Sequence, residues 1–235
     1  MERQFEVQME KLKRRILKMC SIVDEQFDAA IRAIDEDNVE LANQVIARED
    51  KVNKYDVKID KACQKLLALR QPVATDLRFI MSAMTINSNL ERIGDIAFNI
   101  AENFLLMKKK PSFIDKSNFM PMAKLVKEMV RNSIDSFINN DPNLAKKVLD
   151  ADDELDKYNA DNHQILINVM KENKDNIEAA VALLVICRQL ERLGDHATNI
   201  AEDVFFIVEA QMIKHKYSQY LPTELEEEDD EKEQS

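Results

Sequence analysis

The sequence is poor in glycine and contains no tryptophan. Only 2 of its 235 residues are Gly, where average usage of about 7% would give roughly sixteen. A dinucleotide fingerprint needs three Gly in one turn, and a Walker A loop needs two Gly beside a Lys. Gly94 and Gly194 lie too far apart for either motif. The shortage excludes these phosphate-cradling loops and argues against a β fold rich in tight hairpins.

The chain also lacks long apolar runs, paired cysteines and an excess of basic residues. No stretch approaches about 18 uninterrupted apolar residues, and the charged N-terminus has no apolar core of a secretory signal. Cys20, Cys63 and Cys187 are odd in number and widely spaced, which is typical of reduced, buried thiols in a cytosolic protein. A net charge of −11 opposes direct nucleic-acid binding. We therefore expect a cytoplasmic protein.

What the chain has instead is helical periodicity almost throughout. Apolar residues recur at steps of three and four, as on one face of an amphipathic helix. Polar runs and prolines divide this pattern into six long helices, with a linker around residues 112–118. The predicted helices cover residues 1–34, 39–70, 76–109, 119–139, 142–171 and 175–216. The acidic block from Glu224 to Glu233 ends the pattern and is typical of a disordered tail.

The sequence repeats itself after the linker. NLERIGDIAFNIAEN at 89–103 and QLERLGDHATNIAED at 189–203 share ten of fifteen residues at an offset of 100. A second pair of matching segments, 41–56 and 144–159, is offset by 103. We therefore predict an all-α fold built as a tandem repeat of two three-helix bundles related by a pseudo-twofold axis. The predicted units are 1–110 and 111–216, followed by the acidic tail 217–235.

The shared segment places acidic side chains on one stripe of a helix. At about 100° per residue, Glu91, Asp95, Asn99 and Glu102 fall within about 80° of one another. The second repeat places Glu191, Asp195, Asn199 and Glu202 in the same way. Acidic pairs four residues apart repel one another, and no Lys or Arg occupies the stripe to neutralise them. A helix therefore gains nothing from this pattern unless something else neutralises it.

The other repeated segment supplies further carboxylates. Asp152 and Asp156 stand four residues apart, and their counterparts in the first unit are Glu49 and Asn53. If the two helices of each unit lie antiparallel with these stripes adjacent, their oxygen ligands converge. Carboxylate and amide oxygens without Cys or His suit Mg, Ca, Mn or ferric iron rather than Zn or Cu. A solvated acidic face remains the alternative for these residues.

His196 follows Asp195 directly, but on the helical wheel it faces the apolar side, and Ile96 occupies its position in the first repeat. We interpret it as a packed helix residue rather than a ligand. The chain has no Glu-x-x-His pair of the kind that di-iron helical bundles use. The sequence also offers no basis for a Ser-His-Asp or Cys-His catalytic set.

The duplicated LERxGD…NIAE motif resembles the PhoU family of phosphate-signalling regulators. The resemblance extends from about residue 5 to residue 215 and includes both copies of the motif. It implies a cytoplasmic, non-enzymatic negative regulator that connects the phosphate ABC transporter, through its ATPase PstB, to the sensor kinase PhoR. It also implies peripheral association with the membrane through these partners. Association of copies into a homo-oligomer is left open.

The resemblance also implies metal ions, with multinuclear iron clusters in some members and Mn, Mg or other divalent metals as alternatives. By match to the motif, the implied ligands are Glu49, Glu91, Asp95, Asp152, Asp156, Glu191 and Asp195. Asn53 stands where the motif has an Asp, which puts the charge of the first site in question.

Two other functions fit the same residues. One is a carboxylate-bridged multimetal hydrolase of phosphoesters, since paired metals can activate water and hold a leaving oxygen. Only Arg92 and Arg192 recur in both repeats to hold a phosphate there. The other is a helical scaffold whose acidic stripes stay solvated. Metal retained after dialysis distinguishes the scaffold from the other two.

Overall fold

The fold is known from a computed structural model that describes residues 2–209. These residues form eight α-helices and two short 3-10 turns. The helices are α1 (Glu2–Asp35), α2 (Val39–Ile46), α3 (Glu49–Arg70), α4 (Ala74–Met107), α5 (Phe119–Asn139), α6 (Pro142–Asp150), α7 (Asp152–Glu172) and α8 (Ile177–Glu209). The last turns predicted for the sixth helix and the acidic tail lie outside the described residues.

The predicted fold class is confirmed, with α1, α3 and α4 forming the first bundle and α5, α7 and α8 the second. The short helices α2 and α6 pack beside them. The two bundles meet where α4 packs on α8 and where α1 packs on α5. Leu12, Phe27, Phe104 and Phe119 are fully buried in the continuous apolar core. No helix of residues 2–209 is long and apolar enough to cross a membrane.

The predicted helices 39–70 and 142–171 each begin as a short separate helix. Asn38 caps α2 by accepting a hydrogen bond from the Leu41 amide at 2.9 Å, and Asp141 caps α6 in the same way. Each short helix then ends at an alanine, Ala47 or Ala151, whose backbone dihedral angles stay close to helical. Because the backbone angles at the break stay near helical, the apolar pattern gives no separate signal there. The sequence pattern therefore did not reveal it.

The three cysteines are buried and unpaired, as predicted. Cys20 and Cys63 lie in the first bundle and Cys187 in the second. Burial away from water disfavours the thiolate and raises the pKa of each thiol to about 12. A thiol that stays protonated is a poor nucleophile, so these residues behave as small apolar side chains.

Candidate metal centre

Both glycines lie inside helices at points where another helix passes closely. A Cβ atom on Gly94 of α4 would lie 3.1 Å from Cγ1 of Val52 in α3, and one on Gly194 of α8 would overlap Cδ2 of Leu155 in α7. Five residues other than glycine adopt positive φ angles, and neither glycine does. The two glycines therefore allow close packing of neighbouring helices rather than turns.

The close approach in the second repeat brings four predicted ligands together. Asp152 and Asp156 of α7 face Glu191 and Asp195 of α8, and we call these four residues the second acidic cluster. Desolvation by burial, with repulsion from Asp156, Asp195 and neighbouring Asp153, raises the pKa of Asp152 to about 6. Burial, followed by repulsion from the other cluster carboxylates, also raises the pKa of Glu191 and of Asp195. The four carboxylates are therefore close enough to oppose one another's ionisation.

The side chain of Glu191 in this cluster is only 14% exposed. One carboxylate oxygen, Oε1, accepts a hydrogen bond from Nη1 of Arg188 at 2.8 Å. The other, Oε2, is buried and has no hydrogen-bond partner. A buried carboxylate oxygen left without a donor is costly, and a bound cation would satisfy it. The carboxylate-only donor set also fits a hard cation.

The first repeat has a comparable cluster with a different composition. Glu91 and Asp95 of α4 lie near Asp56 of α3. Burial, followed by repulsion from Asp95 and Asp56, raises the pKa of Glu91. Burial, followed by repulsion from Asp60 and Asp95, raises the pKa of Asp56. Asn87 donates from Nδ2 to Oδ1 of Asp56 at 2.7 Å and to Oδ1 of Asp60 at 3.1 Å. We call Asp56, Asp60, Glu91 and Asp95 the first acidic cluster.

Arginines neutralise part of both clusters, which corrects the expectation that the stripe is uncompensated. Nη1 of Arg92 lies 3.0 Å from Oδ2 of Asp95, and its Nε lies 3.4 Å from Oε2 of Glu91. In the second repeat, Nη1 of Arg188 lies 2.8 Å from Oε1 of Glu191. Arg192, the repeat counterpart of Arg92, also opposes the rise in the pKa of Asp195. Arg188 has no basic counterpart, since Ser88 stands at its position in the first repeat.

Asp56 and Asp60, two members of the first cluster, were not predicted from the sequence. They form an Asp-x-x-x-Asp pair on α3, and that spacing was the signal that would have identified them. Alignment of the repeats pointed instead to Glu49, which lies at the first residue of α3. Glu49 is not among the charges that shift the pKa of Glu91 or Asp56. Its part in metal binding stays a prediction.

The polar residues beyond the acidic pairs have another role in the second repeat. Asn199 donates from Nδ2 to Oδ1 of Asn89 at 3.5 Å, and Nδ1 of His196 lies 2.9 Å from the same oxygen. This contact joins α8 to α4, so both residues belong to the interface between repeats. His196 is half-buried, and desolvation followed by the charges of Arg192 and Arg92 lowers its pKa. Its placement agrees with a packed helix residue.

The clusters are concentrations of carboxylates rather than closed coordination shells. Within residues 2–209, no group of three or more His, Cys, Asp or Glu side chains is arranged to hold a metal ion as it stands. A groove of about 770 Å³ lies between α1, α5 and α7, and its lining includes no member of either cluster. Binding a cation would therefore require the carboxylates of a cluster to turn towards one another.

Comparison with known proteins identifies the same architecture. The sequence model of the PhoU domain matches residues 16–104 and 119–204. A "phosphate-specific transport system accessory protein PhoU homolog" from Aquifex aeolicus is 39% identical over 210 residues, covering 89% of this chain and 95% of that protein. The accessory protein PhoU of Serratia marcescens is 32% identical over 216 residues, covering 90% and 87%.

Two solved structures show the same fold. PhoU from Pseudomonas aeruginosa aligns with a TM-score of 0.83 at 31% identity, covering 88% of this chain and all of that one. The phosphate transport system regulatory protein PhoU from Streptococcus pneumoniae aligns with a TM-score of 0.79 at 26% identity, covering 88% and 98%.

Proposed function

Because the chain belongs to the PhoU domain family, we propose that it is a non-enzymatic, cytoplasmic negative regulator of phosphate uptake and of phosphate-starvation signalling. It would act through contacts with the ATPase of the phosphate ABC transporter and with the sensor kinase, and reach the membrane through them. The relatives' names as accessory and regulatory proteins of phosphate transport support this role.

We further propose that the protein binds metal at its acidic clusters, with iron first and Mn or Mg as alternatives. The observation that supports this most directly is the buried, unpartnered Oε2 of Glu191 among carboxylates that oppose one another's ionisation. Asp152, Asp156, Glu191 and Asp195 would hold the metal in the second repeat. A bound cation would supply the positive charge that these side chains lack.

Metal analysis of purified protein tests the binding proposal. Protein loaded with Fe²⁺ or Mn²⁺ and then dialysed against metal-free buffer should retain stoichiometric metal. Asp152→Asn combined with Asp195→Asn should remove the metal held by the second repeat. Glu128→Gln combined with Glu172→Gln is the matched control, because it removes two exposed acidic groups away from both clusters. Equal metal content in all three proteins would refute the assignment of the second cluster.

A transcriptional reporter tests the regulatory proposal separately. Cells that lack the gene should express phosphate-starvation genes even when phosphate is abundant. Reintroducing the wild-type gene should restore repression. Unchanged reporter expression in the deletion strain would refute the regulatory role whatever the metal content. Turnover of generic phosphoesters by metal-loaded protein, lost in the Asp152→Asn and Asp195→Asn variant, would instead favour the hydrolase.

A further inference from the structure

The outer surface of the first bundle carries a groove whose charged lining is entirely basic. It has a volume of about 250 Å³ and lies between α1 and α3, lined by Lys11, Arg15, Lys61 and Lys65 together with Gln8, Ala62 and Leu66. None of the four cations forms an ion pair with an acidic residue within the described chain. In a protein with a net charge of −11, this concentration of unpaired positive charge needs an explanation.

The groove continues into a row of lysines along α3. Lysines recur there at steps of three and four, so they share one face of the helix. All are exposed: Lys51, Lys54, Lys58, Lys61 and Lys65. Nη1 of Arg15 donates to the backbone oxygen of Lys58 at 3.0 Å, which holds its guanidinium against α3. We call these five lysines, with Lys11 and Arg15, the basic strip.

The second repeat shows that the fold does not require this charge. At the offset of 103, the groove cations Lys11, Arg15, Lys61 and Lys65 correspond to Ile114, Asn118, Gln164 and Asn168. None of these counterparts is basic. Nε2 of Gln164 donates to Oδ1 of Asn168 at 3.4 Å, so α7 carries neutral amides where α3 carries two ammonium groups. Of the other strip lysines, Lys51 and Lys58 correspond to Glu154 and Asp161, and Lys54 alone corresponds to a lysine, Lys157. The basic strip is therefore largely a feature of one repeat and calls for a partner that meets only that side.

The described chain ends at the same end of the molecule as the groove. His196 of α8 lies 2.9 Å from Asn89 of α4. These two helices run antiparallel, because α4 is parallel to α1, α8 is parallel to α5, and α1 and α5 pair in opposite directions. Continuing thirteen residues along each, Glu209 at the end of α8 is level with Asp76 near the start of α4. The groove opens at this level, since Nζ of Lys13 lies 5.4 Å from the ring centre of Phe79 and Arg70 donates to Gln8.

The segment between α8 and the acidic block is long enough for the block to reach the basic strip. Residues 210–223 separate the end of α8 from the acidic block. A flexible chain of fourteen residues spans about 20 Å on average and about 47 Å when extended. The seven residues that follow the predicted helix end at 216 still reach about 23 Å when extended. Neighbouring helix axes lie about 8–10 Å apart, so a surface two helices away from α8 is within about 20 Å. The acidic block, Glu224–Glu233, contains eight acidic residues and a single Lys.

We propose that the acidic block of this chain docks along the basic strip of its own first repeat. Charge complementarity supplies the attraction, and the short connection holds the block at high effective concentration beside the strip. The docked block would cover the strip and keep other polyanions away from it. This contact is independent of metal binding at the acidic clusters.

Fluorescence anisotropy of the full chain tests this contact. A dye attached to Ser235→Cys reports motion of the tail, because the three native thiols are buried. In low salt the dye should show a large slowly rotating fraction, which about 1 M NaCl should remove by screening. Replacing Lys58, Lys61 and Lys65 with Glu should lower the ratio of docked to free tail about tenfold, as expected for the loss and reversal of three exposed ion pairs.

A matched control separates docking from overall charge. Replacing Lys109, Lys147 and Lys171 with Glu changes the net charge equally at exposed sites away from the strip, and should leave the slow fraction unchanged. A charge swap adds a second readout: Glu226, Glu227 and Glu228 changed to Lys in the strip variant should recover the slow fraction. Equal slow fractions in the parent, strip and control proteins would overturn the proposal, as would a swap that recovers nothing.

Discussion

The contact between Gly194 and Leu155 makes the effect of one methyl group depend on its neighbour. Replacing a helical glycine by alanine ordinarily stabilises a protein by about 1 kcal/mol, through helix propensity and reduced freedom of the unfolded chain. At Gly194 the new Cβ would overlap Cδ2 of Leu155, which is fully buried and has little room to move. Overpacking of this kind costs about 1–3 kcal/mol. We therefore expect Gly194→Ala to lower the free energy of unfolding by about 0–2 kcal/mol.

Gly194→Ala should instead stabilise the protein when the Leu155 side chain is shortened to alanine. Leu155→Ala alone should cost about 2–5 kcal/mol, because it leaves a cavity beside Gly194. In that background the alanine at 194 keeps its helix propensity and fills part of the cavity with a methyl group worth about 0.8 kcal/mol. Gly194→Ala should then raise the free energy of unfolding by about 1–2 kcal/mol. The coupling between the two positions is thus about 1–4 kcal/mol.

Urea denaturation followed by far-UV circular dichroism measures all four proteins of this cycle, in EDTA so that metal does not contribute. Gly94→Ala is the matched control, since its Cβ would lie 3.1 Å from Val52 Cγ1 and require a shift of only a few tenths of an ångström. Because its packing cost is small, Gly94→Ala should leave the free energy of unfolding unchanged or raise it by up to about 1 kcal/mol. If Gly194→Ala stabilises the parent protein and the Leu155→Ala variant equally, the close approach of α7 to α8 is not as described.

Three further predictions concern the charged groups of the metal-free protein. Asp195→Asn should raise the free energy of unfolding by about 1 kcal/mol in urea denaturation with EDTA, because it relieves repulsion of Asp152; a decrease would contradict the cluster. The pKa of Asp152 is raised from 3.8 to about 6, so the folded state binds more protons and its contribution to stability is lost as pH rises through about 6. Denaturation midpoints between pH 4.5 and 6.5 should therefore fall less steeply in Asp152→Asn, and parallel profiles would count against the shift. Asn87→Leu should cost about 1–3 kcal/mol in thermal denaturation, because Asp56 and Asp60 lose their shared donor; an unchanged midpoint would show that the donor is dispensable.

The fold could be predicted from the sequence because its signals are local and repeated. Apolar spacing identified the long helices, and the offset match between 89–103 and 189–203 identified the two bundles. The breaks at Ala47 and Ala151 escaped prediction because their backbone angles stay near helical. Apolar periodicity identifies which face of a helix is apolar. It gives no signal for a short break between two consecutive helices.

The candidate site was predictable where the repeats agree and not where they differ. The second acidic cluster follows from Asp152, Asp156 and the LERxGD motif, since both segments keep their positions. The first cluster draws instead on Asp56 and Asp60, two turns further along α3, and alignment to the second repeat concealed them. Of the neutralising arginines, Arg92 and Arg192 are matched between the repeats, whereas Arg188 stands where the first repeat has Ser88. The two repeats share their backbone more closely than they share the placement of charge.

The contact of Asn89 with His196 joins the two repeats. A molecule with exact internal symmetry would present a partner with two indistinguishable orientations, and the partner would bind in either. Here α7 has Glu154, Asp161, Gln164 and Asn168 at the positions where α3 has Lys51, Lys58, Lys61 and Lys65. The backbone therefore offers two modes of approach and the side chains make them unequal. A partner that recognises these charges would therefore bind in one of the two orientations rather than in both.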